Sequence, residues 1–383
     1  MSDLGLTMDT EPRSRRRAKN GRSRGRKKKD KRGRSGCAVF IAFAVVVGLL
    51  GMGGWYAYGF VKDRFGPPPD YSGAGDSGST IVVVVKPGWV ASNIGNELKR
   101  AGVVKSVDAF TKAYTGDKQQ RNIEAAAYVM KKHMSAKTAF EFMADRKNQS
   151  KVTIPEGTRK KKVYEILAKQ MQLQPADIEK AAADPSIGLP AWANGQIEGF
   201  LFPTQYPVAP GMNPVDVLRD MVTNAKNKFT AWKLEERAAA LGKSPYDILT
   251  IASLVQAEAR HDDDFGKISR VVYNRLSAKM PLGFDSTINY GLDRNNIVVT
   301  TEMTRQDTPW NTYIRAGLPK TPIDNPGKQA IDAALAPADG KWLYFVTVNT
   351  ETGETKYAET AAEHDKYKKE FDAYIKQKQQ NGG

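Results

Sequence analysis

One cysteine, Cys37, and three histidines, His133, His261 and His364, stand among 383 residues. A single cysteine excludes an internal disulfide, and it leaves everything after position 37 without thiol chemistry. No two histidines stand at metal-ligand spacing, and HExxH, GxSxG and a phosphate-binding glycine loop are all missing. These absences argue against zinc hydrolases, serine hydrolases and nucleotide enzymes, and no metal or cofactor is expected. Acidic residues are also outnumbered, 42 against 58 basic ones, for a formal net charge of +16.

The location of that charge decides its meaning. Between Arg13 and Arg34 stand 14 Lys or Arg and a single Asp, so this run holds +13 of the +16. A like-charge run of this kind reads as a disordered tail, here residues 1–36. What remains is nearly neutral, which speaks against a folded nucleic-acid-binding domain. Residues 37–60, "CAVFIAFAVVVGLLGMGGWYAYGF", carry no charge and are long enough to cross a bilayer. Trp55, Tyr56 and Tyr58 close the run where an interfacial aromatic belt belongs. A cleaved signal peptide is the competing reading, but the apolar run exceeds a usual h-region and no A-x-A-like site follows. The positive-inside rule then puts the N-terminus in the cytoplasm and the rest outside, with the tail against anionic headgroups. Cys37 at the inner edge is either a lipidation site or a small apolar residue opening the helix.

The remainder reads as α+β. Residues 61–79 are rich in Pro, Gly and Ser and read as a flexible linker. From 80 to 150 the pattern gives a strand at "IVVVV", a turn at Pro87-Gly88, a helix capped by Ser92 and ended by Gly102, then mostly helix with a strand at Tyr128–Met130. "KVTIPEGTRKKKVYEILAKQ" repeats strand, turn and helix. Helices follow over 213–260 and 265–279, then a shorter one in "STINYGL", a Pro/Gly-dense loop, a helix in "GKQAIDAALAPA", a hairpin around Thr352-Gly353 and a polar terminal helix. The folded part is expected to end near 376, with 377–383 disordered.

One helix raises a chemical question. In "ILTIASLVQAEARHD", Ile251, Leu254 and Val255 lie seven, four and three residues before Glu258, so a core-facing stripe ends in a carboxyl. A carboxylate there is costly unless it is paired, with Arg275 a candidate, or holds its proton.

Several motifs in order, "IEGFLFPTQYP", "ASLVQAEAR", "YNRLSAKMPLGFDSTINYG", "WNTYIRAGLPKTPIDNPG" and "LYFV", resemble the endolytic murein transglycosylase, or YceG-like, family. The resemblance covers about 150–375 and extends more weakly over 80–150, where that family carries a LysM-like segment. It implies a small LysM-like α/β subdomain over 80–150 and a mixed α+β catalytic domain over 151–376. It also implies cleavage of the β-1,4 bond between N-acetylmuramic acid and N-acetylglucosamine in peptidoglycan strands. The muramyl C6 hydroxyl is then the nucleophile, leaving a 1,6-anhydro end, and penicillin-binding synthases are the implied partners.

By position, Glu258 matches the family's acid/base, with Gln256 at the first place of its acidic triplet. A protonated glutamate in partly apolar surroundings suits a poor leaving group, and intramolecular attack needs no second carboxylate to activate water. Asp285 is either a second carboxylate near the anomeric carbon or an Asx-turn or N-cap residue, with Ser286 beside it. Asn274, Asn311 and Tyr313 are polar groups of the kind that hold acetamido and hydroxyl groups, although Asn274 equally suits a hydrogen bond to a nearby loop. Tyr290 and Tyr313 are sugar-stacking or core aromatics. Gly317, Leu318 and Pro319 are expected to shape a cleft wall. Glu198 is the other candidate acid, with a structural pairing as its alternative. Two departures from the family pattern are Ala125-Ala126-Ala127, where a glycine is usual and a positive-φ turn would be strained, and Gln205 in place of Thr. The alternative function is a non-catalytic, membrane-tethered glycan-binding scaffold for wall synthases; a DNA-binding membrane protein would rest on the tail alone.

Overall fold

The computed structural model describes residues 35–294 and 299–380. The expected disordered tail lies outside these residues up to position 34, as do 381–383. The chain divides into a unit ending at Pro67 and a unit from Pro68 onward.

Among its described residues, the first unit holds one helix, α1 (Ser35–Phe65). Its Phe40, Leu50, Trp55 and Tyr56 are all exposed. The stretch Phe43–Lys62 is long and apolar enough to cross a membrane by length and composition.

The second unit is a mixed α+β body of small two-stranded sheets and many helices. It opens with β1 (Thr80–Val84), α2 (Ala91–Arg100), α3 (Val107–Thr115), β2 (Ala127–Lys131) and α4 (Ala136–Ala144). β1 pairs antiparallel with β2, Val82 opposite Val129. Val83, Ile94, Leu98, Phe110, Tyr128, Phe140 and Met143 fill its core. Turns fall where glycine permits positive φ, at Gly88 (+80°) and Gly102 (+73°). The cap of α2 differs from the sequence expectation. Val90, not Ser92, precedes the helix, because Asn93 reaches back to accept the Val90 amide at 3.1 Å. The alanines at 125–127 carry no positive φ, so the expected strain is absent: Ala126 is buried and its carbonyl accepts from the Val85 amide at 2.9 Å.

The expected flexible linker is largely tied down. The Asp70 carboxylate accepts the Ala136 amide at 2.9 Å, the Gly73 carbonyl accepts from Ser135, and Asp76 pairs with His133 at 2.6 Å. Composition signalled freedom, but Asp70 supplies an acceptor to an otherwise unsatisfied helix-start amide.

The larger core begins with β3 (Lys151–Thr153), α5 (Lys160–Met171), α6 (Pro175–Ala182) and β4 (Gln205–Pro207), β3 pairing antiparallel with β4. Gln205 is exposed there and donates to the Thr153 hydroxyl at 3.3 Å. Helices α7 (Pro214–Ala231), α8 (Leu234–Ala240), α9 (Pro245–Glu258), α10 (Asp262–Ser277), α11 (Asp285–Gly291), α12 (Thr301–Thr304) and α13 (Lys328–Leu335) follow. The hairpin β5 (Tyr344–Thr347) and β6 (Thr355–Ala358) and helix α14 (Ala361–Gln380) complete the unit. Helix α14 continues past position 376 and buries none of its residues.

Helix α9 is the centre of this core. Every residue from Ile248 to Val255 is buried, the signature of a helix enclosed on all sides. Ser244 and Asp247 cap its start reciprocally, at 3.0 and 3.1 Å, with Pro245 at the first helical position.

Candidate active site

Glu258 is the last helical residue of α9. Ala259 turns to extended backbone (φ −70°, ψ 137°), and α10 starts three residues later on Asp262, Asp263 and Asp264. Acidic residues favour a helix N-terminus, so the charges after Glu258 begin the next helix rather than extend α9. Glu258 thereby lines a cleft of about 560 Å³.

Four segments build that cleft. The loop after β3 contributes Glu156, Gly157 and Arg159; the end of α9 contributes Gln256 and Glu258, followed by Arg260. The first turns of α11 contribute Asp285, Ser286 and Asn289, and the loop before α13 contributes Ile323 and Asp324. Gly157 stands at φ +74°, and its missing Cβ leaves room beside Gln256 and Asp324.

Burial pushes the Glu258 carboxyl above the ordinary glutamate range, and the nearby Asp285 charge adds to the rise. The Ser286 hydroxyl and amide and the Arg260 charge oppose it. The Ser286 hydroxyl is enclosed against the carboxyl without a well-aligned hydrogen bond. Glu258 forms no ion pair among the described residues. The expected alternative partner, Arg275, instead donates to the carbonyls of Leu343 (2.6 Å) and Leu282 and lies over the rings of Phe284 and Tyr344.

A second acid, Glu198, is fully enclosed and fully bonded. It accepts the Lys160 amide at 2.9 Å, the Tyr290 hydroxyl at 2.8 Å and the Asn325 side-chain amide at 3.1 Å. Burial still raises it to about 7. Its bonds fasten α5 and α11 to the loop before α13, which is the work of a structural residue.

Residues 83–370 match the model of the YceG-like family. The chain belongs to the YceG-like family. It is 28% identical over 314 residues to the endolytic murein transglycosylase of Bacillus subtilis (strain 168), covering 77% of this chain and 86% of that relative. It is 27% identical over 362 residues to the endolytic murein transglycosylase of Streptococcus pneumoniae serotype 2 (strain D39 / NCTC 7466), covering 86% of this chain and 64% of that relative. The crystal structure of a yceG-like protein from Listeria monocytogenes superposes with a TM-score of 0.52 at 26% identity, covering 76% of this chain and 99% of that one.

The YceG-like site brings together only part of the set expected from sequence. Glu258, Gln256, Asp285 and Ser286 line one cleft. Gln256 accepts the Gly327 amide at 2.9 Å, so it pins the loop before α13. Asp285 caps nothing: Phe284 precedes α11, and the Asp285 carboxylate instead accepts the Tyr313 hydroxyl at 2.6 Å. Tyr313 leaves its ring partly exposed beside Gly283.

The other polar candidates of the YceG-like chain are spent on its fold. Asn274 donates to the carbonyls of Gly340 (3.2 Å) and Trp342 (2.9 Å), away from the cleft. Asn311 is fully buried, donating to Thr304 (2.9 Å) and Gln306 (2.7 Å) and accepting the Tyr313 amide (2.9 Å). Tyr290 is a core aromatic, edge-on to Trp310 and under Arg159. Gly317 (φ +87°), Leu318 and Pro319 shape a neighbouring turn and do not line the cleft. The bonds of Asn274 run to carbonyls more than sixty residues away, which residue type alone does not signal. Sequence reasoning missed Glu156, Arg159 and Asp324. The one local signal was a single charged residue, Asp324, in "TPIDNPG". Among the described residues, no group of His, Cys, Asp and Glu is arranged to hold a metal ion.

Proposed function

We propose that this chain is a membrane-anchored lytic transglycosylase that cuts the N-acetylmuramic acid to N-acetylglucosamine bond of peptidoglycan strands. The observation that carries the reading is Glu258 itself: a glutamate with no ion pair among the described residues, raised by burial, lining a cleft. The curated relatives are named for this activity.

In the proposed cycle the Glu258 carboxyl gives its proton to the glycosidic oxygen as the bond to the anomeric carbon breaks. The C6 hydroxyl of the same muramyl unit attacks that carbon, and its proton returns to the Glu258 carboxylate. No water is consumed, the product carries a 1,6-anhydro ring, and the acid is regenerated. The attack is intramolecular, so its entropy cost is met by the ring geometry of the substrate. Asp285, held by Tyr313, sets a negative charge near the positive charge that develops at the anomeric carbon.

Helix α1 and the basic tail support an anchor with its N-terminus in the cytoplasm and the cleft outside, where nascent strands and their synthases lie. The strand–helix–helix–strand order of 80–131 supports a LysM-like glycan-holding role for that part.

The test is a digest of purified glycan strands by the full chain in detergent, beside Glu258→Gln. Products lighter by one water than hydrolysis products, missing from the variant, support the reading. Ordinary reducing ends make it a hydrolase. Strand binding without cleavage makes it a scaffold.

A further inference from the structure

Asp324 is the strongest chemical group in the cleft that the proposed cycle does not use. It is 4% exposed, makes no hydrogen bond among the described residues, and its Oδ1 is completely enclosed. A buried polar group without a partner loses its hydration with nothing in return. The residue is nonetheless held rigidly. The amide of Ile323 donates to the Ser253 hydroxyl at 3.0 Å. Asn325 is bonded to Thr158 (2.7 Å), Glu198 (3.1 Å) and the Leu201 amide (2.8 Å). Both neighbours in the chain are therefore fixed, and the carboxyl between them lines the same cleft as Glu258. Gly157 across from it has no side chain to fill the space: a Cβ there would stand 3.8 Å from Asp324 Oδ2.

We propose that Asp324 is a sugar-positioning residue, its Oδ2 on the Gly157 side of the cleft hydrogen-bonding an oxygen of the glycan unit held beside Glu258. The inference rests on the reading of the cleft as a glycan site. It assigns to Asp324 the role that Asn274 and Asn311 cannot fill.

The charges around it fix its form. Burial and the neighbouring Glu198 push the carboxyl well above the aspartate range, and Arg159 opposes them. Glu156, Glu258, Asp285 and Arg260 face the same space from the loop after β3, from α9 and its exit, and from α11. The rise favours the protonated carboxyl, a hydroxyl donor for which a hydroxyl or N-acetyl oxygen of the sugar is the matching acceptor.

The experiment measures kcat and KM on purified glycan strands for wild type, Asp324→Ala and Asp324→Asn. It also measures strand Kd in the Glu258→Gln background and thermal unfolding for each protein. Asp324→Ala is expected to raise KM and Kd about tenfold, the worth of one hydrogen bond, with kcat nearly unchanged. Asp324→Asn, which keeps a donor, is expected to recover most of that loss. Wild-type KM should rise with pH as the carboxyl ionises, and that of Asp324→Asn should stay flat; this comparison decides the matter if Asp324→Ala fails to fold. Wild type that cuts strands while both variants keep its KM and Kd overturns this inference alone. So does a folded Asp324→Asn as impaired as Asp324→Ala. Wild type that neither binds nor cuts strands overturns the glycan-site reading and this inference with it.

Discussion

Tyr313 donates its hydroxyl to Oδ1 of Asp285 at 2.6 Å, and the Asp285 charge in turn raises the Glu258 carboxyl. The three residues form a line in which a surface tyrosine steadies the charge that helps the acid hold its proton. Removing that charge by Asp285→Asn lowers the Glu258 pKa. The alkaline limb of the pH–rate profile then moves to lower pH, since activity needs the protonated form and is lost as pH rises through the pKa. Tyr313→Phe, which frees the carboxylate but keeps it, shifts the limb less. Profiles of kcat/KM on glycan strands would sink the relationship if Asp285→Asn left the limb in place or moved it upward.

Glu258→Gln removes the transferable proton and keeps the shape. Activity should fall by about 10²–10⁴-fold, the usual scale of a general acid–base group. Thermal stability should hold or rise, because the amide carries no charge to desolvate. A variant that keeps more than a tenth of wild-type activity would move the acid role elsewhere.

Glu198 gives stability a pH slope of a particular sign. Its carboxyl rises from 4.5 to about 7 in the folded state, so the protonated group stabilises fully below 4.5 and that contribution is lost as pH rises through 7. The shift corresponds to roughly 3 kcal/mol. Urea unfolding across this window should show stability attributable to this residue falling with pH, and Glu198→Gln should remove that component. An unchanged slope in the variant would place the titrating group elsewhere.

Asn325 joins three segments through one side chain. Asn325→Ala leaves the Leu201 amide without its partner and takes one of two donors from a Glu198 oxygen that the Lys160 amide still supplies, and should cost about 1–3 kcal/mol. A loss under about 0.5 kcal/mol in chemical unfolding would show that these groups find other partners.

What was legible in the sequence was local. Gly88, Gly102 and Gly157 mark turns because positive φ is a property of one residue. Glu258 was found because its stripe spans two turns of one helix. The pairing of β3 with β4 was not found, since β4 has three residues and its partner lies more than forty positions earlier. The bond of Asn274 to the Trp342 carbonyl was out of reach for the same reason, whereas Asn311 bonds carbonyls only five and seven residues before it and gave no residue-type signal of doing so. Asp70 reversed the reading of its segment, because one acceptor outweighed a run of Pro, Gly and Ser. Asp324 carried no periodic signal, and its burial shows only once the loop that carries it is folded against the core.

Helix α9 ends on its acid. The final turn of a helix gathers its unpaired carbonyls and the negative pole of its dipole, which disfavours a second negative charge there. The end of the helix therefore adds to the rise that burial and Asp285 give the Glu258 carboxyl. Substitutions around the cleft can tune that rise, but no single one removes the part that the helix supplies; moving the acid one turn toward the middle of α9 would.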